Sequence, residues 1–132
     1  MSIKNIGGVF GRNPTFNDVD VNRLSLEVTQ SGPEVVIASG AVTITSSYAR
    51  VDTEGDASTD DLDTINGGVF GQMLIIRAAS SSRTVVCKDG TGNLELAGDF
   101  SLTHNRDVLV LLCIAESGSY RWIELTRSDN AT

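Results

Sequence analysis

The sequence predicts an all-β protein, a jelly-roll-like β-sandwich with an extended N-terminal arm. Three observations carry this. Short apolar runs alternate with glycine-bearing turns from Thr64 to Arg127. β-Branched residues concentrate in those runs, and period-two alternation replaces any sustained helical period. The chain has 132 residues, which suits one domain with one core rather than two.

The organisation expected is an arm over residues 1–21 and a sandwich domain over 22–132. Met1 to Val21 is rich in Gly and Asn, and its Phe10, Pro14 and Phe16 are separated by polar residues, so no strand or helix period is sustained. A segment that carries apolar groups without a core of its own either stays disordered or docks on a neighbouring surface; the two phenylalanines favour docking. Val19, Val21, Leu24, Leu26 and Val28 then follow a strand-like pattern, ended by Ser31-Gly32-Pro33. Val35 to Ala38 reads as a short strand, Gly40 as its break, and Val42 to Thr45 as a further β-branched strand.

Asp52, Glu54, Asp56, Asp60, Asp61 and Asp63 form the densest acidic stretch. The EF-hand order of ligands, glycine and closing glutamate is not met, so a solvated loop leading into one helical turn is preferred over a calcium site. Ser58 or Thr59 would cap that turn, Leu62 and Ile65 would be its buried side, and Gly67-Gly68 would stop it. Beyond it, strands are expected at Met73 to Ala78, Thr84 to Lys88, Asn93 to Ala97, Phe100 to Thr103, Val108 to Ala115 and Tyr120 to Thr126. Leu94, Leu96, Phe100 and Leu102 share one parity, which lets Gly98-Asp99 fold two strands into a hairpin with one apolar side. Val108 to Ile114 is apolar at both parities, as in a central strand covered on both faces, the second face by another subunit. Ile6-Gly7-Gly8-Val9-Phe10-Gly11 is echoed by Ile65-Asn66-Gly67-Gly68-Val69-Phe70-Gly71, which reads as reuse of a glycine turn carrying one aromatic rather than as a repeat.

Composition narrows function. A net charge of -7 with scattered basic residues argues against nucleic acid or an anionic membrane as partner. The longest apolar runs fall short of the ~20 residues of a membrane-spanning helix, and no basic-then-apolar leader opens the chain, so the expectation is a soluble protein without a standard secretion signal. Cys87 and Cys113 sit inside apolar strand patterns and read as buried, reduced thiols; with His104 as the one histidine, no metal spacing exists and no cofactor is expected.

No catalytic constellation is recognised. Asp89-Gly90-Thr91-Gly92-Asn93 lacks the lysine and following helix of a phosphate loop and reads as a hairpin turn. Ser80 to Ser82 lack the elbow glycines of a hydrolase nucleophile. His104 reads as an exposed turn residue, while paired carboxylates for glycoside cleavage have candidates in the acidic stretch but no evident pocket. Tyr120 and Trp122 share one side of the last strand, either as a glycan platform or, preferably, as a core or subunit-interface pair.

The runs VDTEGDASTDDLDTINGG, GQMLIIRAA, RTVVCKDGTGNLELAGDFSLT, RDVLVLL and YRWIELTRSDN resemble a module of tailed-bacteriophage structural proteins, found in tail fibres, head fibres and capsid-decoration proteins. The likeness spans residues 44–130. The opening GGVFGRNPTFNDVDV is similar to the particle-attachment strings of phage fibres and appendages. The resemblance implies homotrimers, a place in the virion after assembly in the bacterial host cytoplasm, the major capsid protein as partner, and Phe10, Arg12, Pro14 and Phe16 as capsid-docking residues. Lacking a coiled coil, a collagen-like repeat and a separate receptor tip, the chain fits a capsid decoration (cement) protein better than a long fibre. The alternative is a tail-fibre or head-fibre adaptor or receptor-binding module using Tyr120 and Trp122; a hydrolase built on the acidic stretch ranks third.

Overall fold

Apolar side chains at alternate positions draw the described residues into eleven strands and no α-helix. The computed structural model describes residues 34–131; the expected arm, with Phe10, Arg12, Pro14 and Phe16, and the alternating segment Val19 to Val28 lie outside the described residues. In chain order the strands are β1 (Glu34–Val36), β2 (Ala41–Thr43), β3 (Tyr48–Asp52), β4 (Thr59–Leu62), β5 (Thr64–Asn66) and β6 (Met73–Ala78). They are followed by β7 (Thr84–Cys87), β8 (Leu94–Glu95), β9 (Phe100–Leu102), β10 (Val108–Glu116) and β11 (Ser119–Ser128).

The all-β expectation holds, but the pairing is not that of a jelly roll. β3 lies parallel to β1, β6 parallel to β3, β5 parallel to β2 and β7 parallel to β4. Each strand therefore pairs with its counterpart one turn later, and the chain winds as a short β-solenoid. Inward residues stack in columns from turn to turn: Ala49 on Ile76, Val51 on Ala78, Val42 on Ile65, and Leu62 on Cys87. All eight are buried, and each fully enclosed aliphatic side chain contributes about 1.5–3 kcal/mol.

The C-terminal half reverses the winding. β9 runs antiparallel to β7, β10 antiparallel to β6, and β11 antiparallel to β10, after which β11 pairs in parallel with β8. The result is a six-stranded sheet ordered β1-β3-β6-β10-β11-β8, a three-stranded sheet β4-β7-β9 and a two-stranded sheet β2-β5. The antiparallel strands close the last turn, as a terminal cap must in a stacked architecture.

Two local expectations are corrected. The acidic stretch holds the end of β3, a single 3-10 turn at Glu54–Asp56 and then β4 and β5, rather than a helical turn capped at Ser58 or Thr59. Leu62 and Ile65 are buried as expected, but from strands on two different sheets separated only by Asp63. The Gly98-Asp99 turn does not make a hairpin either: β8 pairs with β11 and β9 with β7. The shared parity of Leu94, Phe100 and Leu102 is retained, since all three point into the core.

Asp89 to Asn93 likewise forms a corner between sheets instead of a hairpin turn. At Gly92 (φ +58°) an added Cβ would sit 2.2 Å from the Asp63 carbonyl oxygen and 2.3 Å from Thr64 Oγ1. Gly92→Ala combines a left-handed backbone with that clash and should lower unfolding free energy by about 3 kcal/mol. A urea titration showing an unchanged midpoint would contradict this.

Candidate functional site

Three carboxylates of the acidic stretch, Asp52, Asp56 and Asp60, are engaged in ordering the loop that contains them. Asp52, at the end of β3, accepts hydrogen bonds from Arg83 Nε at 2.7 Å and Nη2 at 2.6 Å, and from the Thr53 amide at 2.9 Å. These bonds, led by those of Arg83, hold its carboxyl below the usual carboxylate range against the opposing effect of burial. Arg83 also reaches Asp56 at 3.2 Å. Asp60 accepts from the Glu54 amide at 2.7 Å and from the Asp61 amide at 2.9 Å, fastening the 3-10 turn to β4. Among the described residues, no group of three or more His, Cys, Asp or Glu side chains could hold a metal ion.

A second polar assembly surrounds Asp107, which is fully buried just before β10. Oδ2 accepts from the Thr103 amide at 2.9 Å, Thr103 Oγ1 at 3.1 Å and the His104 amide at 2.9 Å; Oδ1 accepts from the amides of Asn130 at 2.8 Å and Ala131 at 3.0 Å. Burial works against ionisation here, yet these donors outweigh it and the pKa is lowered. The His104 imidazole is partly buried, and its Nδ1 accepts from the Arg106 amide at 3.1 Å and from Arg106 Nε at 3.3 Å, so it braces the same turn.

The 97–99 loop is held from β11. Arg127 lies 4.8 Å above the Phe100 ring, donates to Glu124 Oε1 at 2.6 Å and to the Gly98 carbonyl at 2.9 Å. Glu124 in turn accepts from the Ala97 amide at 2.9 Å. Lys88 and Asp99 form an ion pair across the loop base.

The structure separates Tyr120 from Trp122. Trp122 is completely enclosed, with its indole N–H donating to the Ile65 carbonyl at 3.1 Å, and it offers no ring face to a sugar or a second subunit. Tyr120 shares its parity but lies at the far end of the β10–β11 hairpin, where it is exposed. The core reading of Trp122 is thus the one its position supports. Cys87 and Cys113 are free and buried, and burial pushes the Cys87 thiol up to about 12 and raises that of Cys113. Neither is a reactive nucleophile at neutral pH. Ser80 Oγ accepts from the Ser82 amide at 3.1 Å, an ordinary turn bond.

Two features were not anticipated. Asn93 replaces a strand: its side chain accepts from the Ile65 amide and donates to the Ile65 carbonyl, both at 2.9 Å, continuing the solenoid beyond β5. An asparagine inside an expected strand, where the type is depleted, was the available signal. The other is the loop after β5. Gly68 passes so close to Trp122 that a Cβ would lie 2.3 Å from the indole, and the two residues that follow, Val69 and Phe70, are 61% and 70% exposed. Gln72 fastens the loop: its side-chain Oε1 accepts from the Val69 backbone amide at 3.1 Å, and its backbone N–H donates to the Val69 carbonyl at 3.0 Å.

On β10 the two parities differ. Leu109, Leu111 and Cys113 are fully buried beneath the sheet, whereas Val108, Val110, Leu112 and Ile114 are half-buried on its outer surface. Beside them on the same surface lie Ile75 and Met73 of β6 and Ile123 of β11. Comparison of the sequence with protein-family models and with curated proteins returned no match.

Proposed function

We propose that this chain is a structural protein of a tailed-bacteriophage virion, a capsid decoration protein acting as a homotrimer on the lattice of the major capsid protein. The observation that carries the reading is the aliphatic outer surface around β10, a sheet face suited to burial in an assembly. The sequence likeness over residues 44–130 supplies the virion context. Asp52, Asp107 and Glu124, whose carboxyls are held below their ordinary range, are tied up in structural hydrogen bonds, so the reading assigns no catalytic residue.

A trimer that binds only the assembled shell stabilises that state by mass action, and three attachment segments acting together raise avidity beyond any single contact. Removing Met1 to Asp18, with Phe10, Arg12, Pro14 and Phe16, should weaken binding to shells of the cognate phage by at least roughly 100-fold while the domain stays folded. Co-sedimentation with purified shells measures this, and binding that survives the truncation would refute the docking role.

The fibre-adaptor reading is favoured by one observation, the parallel ladders, because a coil of stacked turns is readily lengthened by further turns. It loses Trp122 as a receptor contact and retains Tyr120.

A further inference from the structure

We propose that Asn66 is a self-modification site, at which the chain converts its own carboxamide to a carboxylate through a cyclic imide formed with Gly67. The Gly67 backbone nitrogen attacks Asn66 Cγ and gives up its proton to hydroxide or water. The Cγ–Nδ2 bond breaks and ammonia leaves. Water then opens the imide at either carbonyl, giving aspartate one way and isoaspartate, with the main chain routed through the former side chain, the other way. Water is the co-reactant, and nothing is oxidised or reduced. The reaction needs neither a virion nor a partner.

The hydrogen bonding singles out this residue. A backbone nitrogen can attack its neighbour's side chain only when its N–H is not committed elsewhere. Asn66 is the one asparagine of the chain followed by glycine, and both residues are exposed. Among the described residues, neither the Asn66 carboxamide nor the Gly67 N–H has a hydrogen-bond partner. The amide after every other described asparagine is engaged: Leu94 N–H donates to the Thr91 carbonyl at 3.2 Å, Arg106 N–H to His104 Nδ1 at 3.1 Å, and Ala131 N–H to Asp107 Oδ1 at 3.0 Å. Asp89-Gly90, which could form the same imide with loss of water, is closed likewise. Gly90 N–H donates to the Leu94 carbonyl at 3.0 Å, and Asp89 Oδ1 accepts from the Leu96 amide at 2.8 Å.

The fold also fixes the glycine. Gly67 has φ +87°, and a Cβ there would sit 2.4 Å from the Ile44 carbonyl oxygen, so a side chain that would shield the nitrogen is disfavoured. Asn66 ends β5, and its carbonyl accepts from the Ile44 amide at 2.9 Å, at the very end of the β2–β5 ladder. Bringing the Gly67 nitrogen onto Cγ turns the Asn66 main chain against this bond, so opening of the strand end sets the rate. Isoaspartate lengthens the main chain just before Gly68, whose backbone lies against Trp122, and thereby resets the exposed Val69-Phe70 tip.

The full-length protein is incubated at mildly alkaline pH and physiological temperature, in buffer and in urea, beside a synthetic peptide of residues 61–72. Mass spectrometry of the tryptic fragment 51–77 and isoaspartate-specific methyl transfer follow the conversion. In buffer, Asn66 should react at a rate within about 10-fold of the peptide's, the cost of one ladder hydrogen bond, and ahead of every other asparagine and of Asp89. The rate should rise in proportion to hydroxide. In urea, Asp89-Gly90 should begin to isomerise as well. Asn66→Gln, which would have to close a larger ring, should keep the far-UV circular dichroism and lose the reaction; Asn66 is exposed, so the variant folds. A native chain whose Asn66 stays intact while the peptide is fully converted overturns the proposal. So does faster conversion in buffer at Asp89 or at another asparagine, or amide loss from fragment 51–77 that survives Asn66→Gln.

Discussion

Trp122→Ala is expected to lower the free energy of unfolding by about 4 kcal/mol, the largest single-residue effect in the domain. The indole is wholly enclosed beneath β11, touches the Gly68 backbone from one side and donates to the Ile65 carbonyl on β5. It joins the antiparallel cap to the last parallel turns, and its own amide bonds to the Asn93 carbonyl at 2.8 Å. Alanine would leave a cavity that the neighbouring strands cannot close, because Gly68 has no side chain to move into it and the ladders fix the strands on either side. Trp122→Phe separates volume from hydrogen bonding. The Ile65 carbonyl keeps the Asn93 amide as donor, so the phenylalanine variant should lose less than half as much. Chemical denaturation of the three proteins checks both numbers; equal stability of Trp122→Ala and the native chain would show that the residue is not in the core.

Such a core position was partly legible in the sequence. Strands β6, β7, β10 and β11 follow from aliphatic alternation between turn clusters, and their boundaries differ from the expected ones by at most two residues. The parallel architecture was not legible, for a specific reason. Asp89 to Asn93 and Gly98-Asp99 contain the same residue types whether the chain folds back beside itself or turns a corner onto another sheet. Parity survives either outcome, which is why Leu94, Phe100 and Leu102 were placed inward while their strand partners were wrong. Asp60 and Asp61 concealed β4, since aspartate disfavours strands. It is tolerated here because β4 buries only Leu62 and has no strand on its outer edge among the described residues. Parity also paired Tyr120 with Trp122, but depth along the strand decides exposure: Trp122 stands over β5 and Tyr120 beyond it. The two-sided apolarity of β10 was visible directly, and the structure adds which neighbours complete its outer face.

Asp107→Ala should be as damaging as Gly92→Ala, with a loss of about 3 kcal/mol and a fall in melting temperature of roughly 10 °C. The carboxylate is wholly buried and accepts from four backbone amides and one hydroxyl, linking the turn before β10 to residues 130 and 131. Without it those amides lose their acceptor, and the ones most enclosed cannot recover one from water. The same group contributes to acid sensitivity. Its folded pKa is lowered, as are those of Asp52 and Glu124, so the stabilisation is fully present above the unfolded carboxylate value of about 4 and is lost as pH falls through the lower folded values. Urea midpoints should be level from neutral pH to about 5 and decline progressively below about 4. Asp107→Asn, which cannot ionise, should begin less stable at neutral pH and decline less steeply in acid. An acid limb identical to that of the native chain would mean that Asp107 does not bind its proton at a lower pH in the folded state than in the unfolded one.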